Sequence, residues 1–218
     1  MFETKMNITN QEIQNYCMSN SSLESDVLSE IKKYTQNIPG SKMLSDRLIG
    51  MQLQSYIRAL QATCVVDIGT FTGYSTLSMA EALPENGVVI SCEKNPNALK
   101  VARQFFQKSA HNHKIQIKLQ TALQCLTELT DKKCDLIFID ADKLPIKSYY
   151  EIALRKIKTK GIIIVDDVLW YGKVLEESPE DKRAQAMKKF NSYVTQDSRV
   201  DNFILPIRHG LMIIHPKN

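Results

Sequence analysis

Short apolar runs recur through the middle of the 218-residue chain and are separated by segments of mixed polarity. The apolar runs are rich in β-branched residues, as buried strands are, and they lie at 64–68, 88–92, 115–119, 134–139 and 161–165. The segments between them predict helices at 74–83, 95–110, 122–130 and 145–158. Because such alternation requires crossover connections, the pattern predicts an α/β fold with a mostly parallel sheet and helices on both faces.

The two ends of the chain break this alternation. Residues 8–37 have apolar positions near helical spacing and predict one or two helices, and another helical stretch begins at Ser45, a residue type that favours N-caps. Near the C-terminus, the runs 202–207 and 210–216 flank a short turn and predict an antiparallel hairpin. No linker divides the core, so we expect one domain over 1–218, made of an N-terminal helical segment at 1–60 and an α/β core at 61–218.

Composition narrows the class of protein only a little. The net charge of +4 and the pI of 8.7 permit an anionic partner without requiring one. The five cysteines are odd in number and lack C-x-x-C spacing, so we expect buried thiols in a reducing compartment. The chain has neither an apolar run of membrane-spanning length nor a secretory h-region, so we expect a cytoplasmic protein with no membrane partner.

The first apolar run leads into a segment typical of ligand-binding turns, "VVDIGTFTGYST" at 65–76. Gly69 and Gly73 follow Asp67, and glycines at such positions let backbone N–H groups approach a ligand at the start of a helix. The second run ends at Glu93, where an acid can accept hydrogen bonds from ribose hydroxyls. Together these features favour a nucleoside ligand, and they leave NAD, S-adenosylmethionine and a plain tight turn as alternatives.

Acidic residues end two later strands that we expect to be neighbours in the sheet. The fourth run is followed by Asp140, Asp142 and Lys143, and the fifth by Asp166 and Asp167. Carboxylates so close together repel one another, and a hard divalent cation with oxygen ligands, Mg²⁺, Mn²⁺ or Ca²⁺, would remove that cost. The alternatives are solvated acids in loops and a purely structural ion-pair role for Lys143.

With these residues placed, the chain resembles the cation-dependent, S-adenosylmethionine-dependent O-methyltransferases of the catechol and caffeoyl-CoA type and their small bacterial relatives. The resemblance rests on "VVDIGTFTGYSTLSMA", "SCEKNP", "DLIFIDADK" and "GIIIVDDVLWYGKV" in that order. It implies a Rossmann-like methyltransferase fold with a seven-stranded, mostly parallel sheet that ends in the antiparallel hairpin. It also implies methyl transfer to a hydroxyl of a catechol-like or other hydroxylated aromatic small molecule, and a homodimer.

The resemblance assigns roles to single positions of this sequence. It implies cation ligands at Asp140, Asp166 and Asp167, and catalytic roles for Asp140 and for Lys143 as the general base. The cofactors that it implies are S-adenosyl-L-methionine and a divalent cation, with Mg²⁺ expected first. The cofactor contacts that it implies are Met43, Ser45, Asp67, Gly69, Phe71, Gly73, Tyr74, Ser75, Glu93, Lys94, Thr121, Ala122, Asp140, Asp142 and Tyr149.

The chain departs from the family pattern at three places. Asp167 stands where the family usually has asparagine, Gln120 and Thr121 replace the start of a common Gly-x-Ala, and His209 replaces an aspartate of the hairpin turn. We expect His209 to be an exposed turn residue. Asn191 matches a family asparagine near the loop that carries the cation ligands, and either a packing or capping role or a substrate contact is open for it.

The expected chemistry is attack of a phenolate oxygen on the sulfonium methyl of the cofactor. A cation chelated by two vicinal oxygens lowers the hydroxyl pKa, and we expect it to lower the Lys143 pKa as well, so that the amine can take the proton. Trp170 and Tyr171 follow the acid pair and could line an aromatic acceptor or pack inside the protein. Three other functions stay open: methylation of a hydroxylated tRNA uridine, non-catalytic nucleotide binding, and NAD-dependent dehydrogenation.

Overall fold

Seven strands form one sheet in the computed structural model, which describes residues 10–41 and 44–217. The strands are β1 Cys64–Ile68, β2 Val88–Glu93, β3 Ile115–Leu119, β4 Cys134–Ile139, β5 Ile157–Asp166, β6 Val200–Leu205 and β7 Leu211–Pro216. Their order is β3-β2-β1-β4-β5-β7-β6, with parallel pairing from β3 to β5 and antiparallel pairing of β7 with both β5 and β6. The predicted α/β fold, with its seven-stranded sheet and C-terminal hairpin, is confirmed.

Helices cover both faces of this sheet. The described residues form α1 Gln11–Ser19, α2 Asp26–Thr35, α3 Arg47–Leu60, α4 Tyr74–Ala82, α5 Pro96–Phe106, α6 Ala122–Glu128, α7 Ile146–Lys156 and α8 Lys182–Thr195. One face packs on α3 and α4 through Val65 and Leu136, and the other packs on α6, α7 and α8 through Val66 and Ile137. Both faces are buried because adjacent strand residues point to opposite sides, which is why the strands read as continuous apolar runs.

Four of the five cysteines lie in this interior, and all five are free thiols, as expected from their spacing. Across residues 10–41 and 44–217, no helix is both long enough and apolar enough to cross a membrane.

Several element boundaries differ from the predicted ones. The side chain that caps α3 belongs to Asp46 and accepts the N–H of Ile49, so Ser45 is not the N-cap. Helix α5 ends at Phe106 rather than at residue 110, and β5 begins at Ile157, directly after α7. Helix α3 begins one residue later than predicted, because Asp46 rather than Ser45 caps it. Strand β5 begins earlier than predicted, because no loop separates it from α7.

Helix α8 is absent from the predicted elements. Its buried side chains recur at helical spacing, at Ala184, Met187, Phe190 and Val194. The polar residues between them, several of them lysines, dilute the apolar signal in the sequence. The periodicity was present but too weak to distinguish this helix from the solvated loop that precedes it.

The carboxyl ends of β1 and β4 touch through their backbones. Gly69 follows β1 with a φ of 113°, and a Cβ atom at this position would lie 2.1 Å from the carbonyl oxygen of Asp140. The N–H of Asp140 in turn donates to the carbonyl oxygen of Ile68 at 2.9 Å. These contacts join the glycine turn after β1 to the acidic segment after β4.

Replacement of Gly69 by alanine should therefore destabilise the fold. The left-handed backbone costs about 1–2 kcal/mol for a residue with a Cβ, and the overlap with Asp140 should cost a further ~1–3 kcal/mol. Thermal or urea unfolding measures the change in the free energy of unfolding. Asp142→Ala, at a side chain that is 59% exposed, is the control and should change stability by less than about 1 kcal/mol. Equal stability of Gly69→Ala and the wild type would contradict this account of the turn.

Candidate active site

The turn after β1 presents backbone N–H groups at the start of α4. Gly73 is the N-cap residue, with a φ of 95°, and its position provides no side-chain hydrogen bond to the first turn of the helix. The Glu93 carboxylate, at the end of β2, accepts the N–H of Phe71 at 3.0 Å and that of Asn95 at 2.8 Å. Glu93 thus joins the glycine turn to the start of α5, and its oxygens retain lone pairs for further donors.

A chain of buried polar side chains supports the turn from the sheet side. The Asp67 carboxylate accepts hydrogen bonds from the hydroxyls of Ser75 and Thr76 at 2.9 and 2.5 Å. The Thr76 hydroxyl bonds that of Ser91 at 2.8 Å, and Ser91 bonds Thr70 at 2.6 Å. Burial raises the pKa of Asp67 to about 7, against the opposing effect of the two hydroxyl donors. Its Oδ1 atom is buried and has no donor among the described residues, so one acceptor beside the turn is still available.

Helix α2 holds the same turn from the other side. The hydroxyls of Thr35 and Thr72 bond one another at 2.8 Å, and both residues are buried. The Tyr74 hydroxyl donates to the Glu24 carboxylate, and the Tyr74 ring packs with Leu28 in the cluster between α2, α4 and α5. The side chain of Tyr74, a predicted cofactor contact, therefore serves packing, and its backbone is what belongs to the turn.

The acids at the ends of β4 and β5 lie around one buried ammonium group. They meet because β4 and β5 are parallel neighbours. The Lys143 Nζ atom lies 2.9 Å from Oδ1 of Asp140 and 3.4 Å from Oδ2 of Asp167, and it donates to the backbone carbonyl of Asp166 at 3.2 Å. The Lys143 side chain is 6% exposed and Asp166 is 2% exposed. The structure thus brings these four predicted site residues together, with Lys143 and Asp166 buried and Asp140 and Asp167 partly exposed.

Burial and mutual repulsion shift the pKa values in this cluster. Burial places the pKa of Asp166 well above its usual range, and the charges of Asp140 and Asp167 add to the shift. Burial alone would lower the pKa of Lys143, but the surrounding carboxylates outweigh that effect and raise it. The lowered Lys143 pKa that the sequence analysis expects applies to a site that holds a cation, and it stays a prediction. Without a cation, the carboxylates around Lys143 raise its pKa and favour the charged ammonium form.

The donor set of this cluster suits a hard cation in its chemistry. Asp140, Asp166 and Asp167 lie around Lys143, and their side-chain acceptors are all oxygens. Over residues 10–41 and 44–217, no three His, Cys, Asp or Glu side chains are already grouped to hold a metal ion. Asp166 Oδ1 accepts the N–H of Asp167 at 2.7 Å. Binding of an ion would therefore require these side chains to turn toward it.

The other predicted cofactor residues lie at different depths around this centre. Lys94 and Asp142 form an ion pair in which both side chains are 59% exposed. Tyr149 is buried, and burial raises its pKa to about 12. Ser45 is also buried, and Met43 lies outside the described residues. The predicted set thus contains both surface groups and interior groups.

At the start of α6 this chain has Gln120, Thr121 and Ala122 where the family often has Gly-x-Ala. Thr121 is the N-cap residue, and it exchanges hydrogen bonds with Gln124 in a capping box. Ala122, the next residue, is buried. The Thr121 hydroxyl and backbone N–H are thereby both committed to the helix start, where such a cap contributes about 1 kcal/mol.

The loop after β5 is fixed by side chains of α8 and of the segment before it. Asn191 Nδ2 donates to the carbonyl oxygen of Val168 at 2.8 Å, and Trp170 Nε1 donates to Asp181 at 2.9 Å. This hydrogen bond gives Asn191 a packing role, one of the two alternatives that the sequence left open. The hydrogen bond to Asp181, the N-cap residue of α8, holds the Trp170 side chain toward that helix.

The turn between β6 and β7 also reaches this loop, contrary to the prediction that His209 is an exposed turn residue. His209 is half-buried, and its ring centroid lies 3.8 Å from that of Tyr171, with 39° between the ring planes. The His209 carbonyl oxygen accepts the N–H of Leu169 at 2.7 Å. This contact joins residues far apart in the chain, so no local signal in the sequence could have predicted it.

The fold is that of a Rossmann-like methyltransferase. An SAH-bound methyltransferase of Podospora anserina superposes with a TM-score of 0.86 over 96% of this chain and 97% of that chain, at 26% identity.

Sequence comparison identifies the family. A family model described as O-methyltransferase matches residues 18–217. The Dictyostelium discoideum protein named "Probable caffeoyl-CoA O-methyltransferase 2" is 33% identical, over 98% of this chain and 94% of its own length. The catechol O-methyltransferase of Niastella koreensis is 35% identical, over 72% of each chain. The chain belongs to the O-methyltransferase family.

Replacement of Lys143 by methionine should destabilise the protein, because three carboxylates would lose their buried ammonium partner. We expect the free energy of unfolding to fall by about 3–5 kcal/mol at about pH 8. The raised Asp166 pKa means that the folded state favours the protonated acid, so the loss should shrink as the pH falls toward about 5.

The control for this experiment is Lys94→Met, which removes an exposed lysine from its ion pair with Asp142. It should change stability by less than about 1 kcal/mol. Chemical denaturation of both variants over the pH range measures the difference. If the two variants lose the same amount of stability, or if the Lys143→Met loss does not depend on pH, the buried charge cluster is not what we describe.

Proposed function

We propose that this O-methyltransferase transfers the methyl group of S-adenosylmethionine to a hydroxyl of a catechol-like or other hydroxylated aromatic small molecule, with the help of a divalent cation. The observation that carries the proposal is the meeting of two features at one edge of the sheet. These are the glycine turn with Glu93, and the three carboxylates around Lys143. The contact between Gly69 and Asp140 joins them. Relatives named for caffeoyl-CoA and catechol support the acceptor class.

The glycine turn suits the nucleoside and the amino-acid ends of the cofactor. Glu93 would accept hydrogen bonds from the ribose hydroxyls, and the N–H groups at the start of α4 would bind the cofactor carboxylate. The available Oδ1 of Asp67 is an acceptor of the kind that an ammonium group needs. The G-x-x-x-G spacing lacks the third glycine of dinucleotide sites, which supports a single nucleoside over a pyrophosphate.

The acid cluster suits activation of the acceptor. Asp140, Asp166 and Asp167 are the residues that would hold a divalent cation, which lowers the pKa of a chelated hydroxyl. Lys143 would take the acceptor's proton only where the carboxylate charge around it is offset, because that charge raises its pKa. An oxygen nucleophile held in line with the methyl group gains roughly 7–11 kcal/mol over free encounter. Positioning is thus the main contribution that these residues would make.

Exposed apolar side chains in the N-terminal segment support the proposal of a homodimer, which the family resemblance implies. Helix α1 has no buried residue, and Ile13 and Tyr16 on it are 59% and 69% exposed. Apolar side chains left uncovered at helical spacing are typical of surfaces that contact a second chain. We therefore propose that the N-terminal segment contributes to a dimer contact or covers the acceptor side of the site.

The cofactor assignment predicts that Glu93→Gln weakens S-adenosylmethionine binding roughly tenfold, because one charge-assisted hydrogen bond to the ribose is lost. Titration calorimetry of the purified protein with S-adenosylmethionine and with NAD measures this. Glu85→Gln, at a side chain that is 84% exposed, is the control and should bind like the wild type. Binding of NAD instead of S-adenosylmethionine would overturn the cofactor assignment.

The cation assignment predicts that catechol binds in the presence of S-adenosylhomocysteine only when Mg²⁺, Mn²⁺ or Ca²⁺ is added. Asp166→Asn should weaken the affinity for the cation by about tenfold or more, because an anionic ligand is lost. The affinity for S-adenosylmethionine should stay unchanged. Asp201→Asn, at a side chain that is 77% exposed, is the control.

Cofactor binding without any effect of an ion on catechol binding would overturn the cation and acceptor assignments together. Methylation of a hydroxylated tRNA uridine, with salt-sensitive binding of tRNA, would then be the next function to test.

A further inference from the structure

The turn between β6 and β7, residues 206–210, lies at the acidic edge of the sheet. Leu211, the first residue of β7, pairs with Asp166 at the end of β5. The N–H of Val168 donates to the carbonyl oxygen of Gly210 at 3.1 Å. These contacts fix the turn to the loop that follows β5, so a side chain that leaves the turn starts beside the acids.

Arg208 leaves this turn and bonds a segment that is far away in the chain. Its Nη1 atom donates to the carbonyl oxygen of Leu44 at 2.7 Å, and its Nε atom lies 3.7 Å from Oδ2 of Asp46. The side chains of Arg208 and Asp46 are only 18% and 19% exposed, so these charge-assisted contacts are largely shielded from water. One guanidinium thus holds both ends of the segment 44–46, which leads into α3.

The same segment is attached to the cofactor half of the site. The Leu44 side chain packs against the apolar cluster that contains Tyr74, the first residue of α4. Ser45, a predicted cofactor contact, is 5% exposed, and Asp46 caps α3. The segment 44–46 therefore reaches from the start of α4, where the glycine turn ends, to the side chain that Arg208 extends from the acidic edge.

The backbone of Arg208 is held in an unfavourable conformation. Its φ is 52°, a region that residues other than glycine rarely adopt. Such a backbone persists only where the surrounding structure imposes it. A glycine would adopt it without strain but could not contact Leu44 or Asp46, so these two contacts are what an arginine gains at this position.

We propose that Arg208 is a positioning residue for the cofactor, because it holds the segment 44–46 against the start of α4 before S-adenosylmethionine binds. The inference rests on the proposed function and deepens it, because it names the side chain that orders the N-terminal side of the cofactor site. A segment that is already ordered loses less conformational freedom when the ligand arrives. The contacts of Arg208 should therefore raise the affinity for the cofactor without any contact between Arg208 and the cofactor itself.

The test is titration calorimetry of the purified protein with S-adenosylmethionine. Arg208→Gly should raise Kd roughly three- to tenfold, because the segment is released while the residues that would contact the cofactor remain. Glycine adopts the backbone of Arg208 without strain, and this relief offsets the lost contacts, so the midpoint of thermal unfolding should stay within about 3 °C of the wild type. Arg208→Lys should raise Kd less than Arg208→Gly does, because an ammonium group can replace one of the two contacts.

Lys132→Gly is the matched control. Lys132 also has a left-handed backbone, with a φ of 55°, but it is exposed and lies in the turn before β4, at the edge of the sheet opposite to the site. This variant removes one positive charge and the same kind of strain away from the site, so it should bind S-adenosylmethionine like the wild type. Arg208→Asn, which also tolerates the left-handed backbone, repeats the measurement with a second replacement.

Steady-state kinetics with catechol as acceptor separate positioning from a general loss of structure. Arg208→Gly should raise KM for S-adenosylmethionine about as much as Kd, whereas kcat and KM for catechol at saturating cofactor should stay within about twofold. An unchanged Kd, or the same change in Lys132→Gly, would overturn the role of Arg208 and leave the proposed function intact. A wild-type protein that does not bind S-adenosylmethionine would overturn the proposed function itself.

Discussion

The acidic edge of this sheet depends on one buried ammonium group. Of the carboxylates at the ends of β4 and β5, Asp166 is buried and Asp140 and Asp167 are partly exposed, and removing a charge from water costs on the order of several kcal/mol. Lys143, within 3.4 Å of two of them and bonded to the backbone of the third, offsets that cost. The same interaction that makes the edge stable also keeps Lys143 protonated. Stability and chemistry are therefore governed by the same charges.

A second constraint makes the two halves of the site one unit. Gly69 touches the backbone of Asp140, so the turn that would hold the cofactor cannot move independently of the acids that would hold the acceptor. Thr35 and Glu24, from the N-terminal part of the chain, bond the same turn through Thr72 and Tyr74. A methyl transfer depends on the alignment of two bound molecules, and the pairing of β1 with β4 places the two segments that would hold them side by side.

The sequence predicted the parts of this protein that local patterns determine. Strands buried on both faces read as apolar runs, and the acids directly after them had to meet once the strands were parallel neighbours. What it could not predict depends on contacts between distant segments. The stacking of His209 on Tyr171 and the raised pKa of Lys143 arise from neighbours supplied by the fold. Two misses are local. Asp46 rather than Ser45 caps α3, although both residue types favour N-caps, and the periodicity of α8 is present but weak.

Asp167 shows how a single departure from the family pattern connects these effects. Its carboxylate adds a negative charge 3.4 Å from Lys143, where an asparagine would add none, and so it holds the lysine more firmly in its protonated form. The same charge strengthens the attraction for a hard cation. In the mechanism that we propose, the amine would therefore act as a base only to the extent that the carboxylate charge is offset, and this would couple acceptor activation to cation binding more tightly than an Asp-Asn pair would.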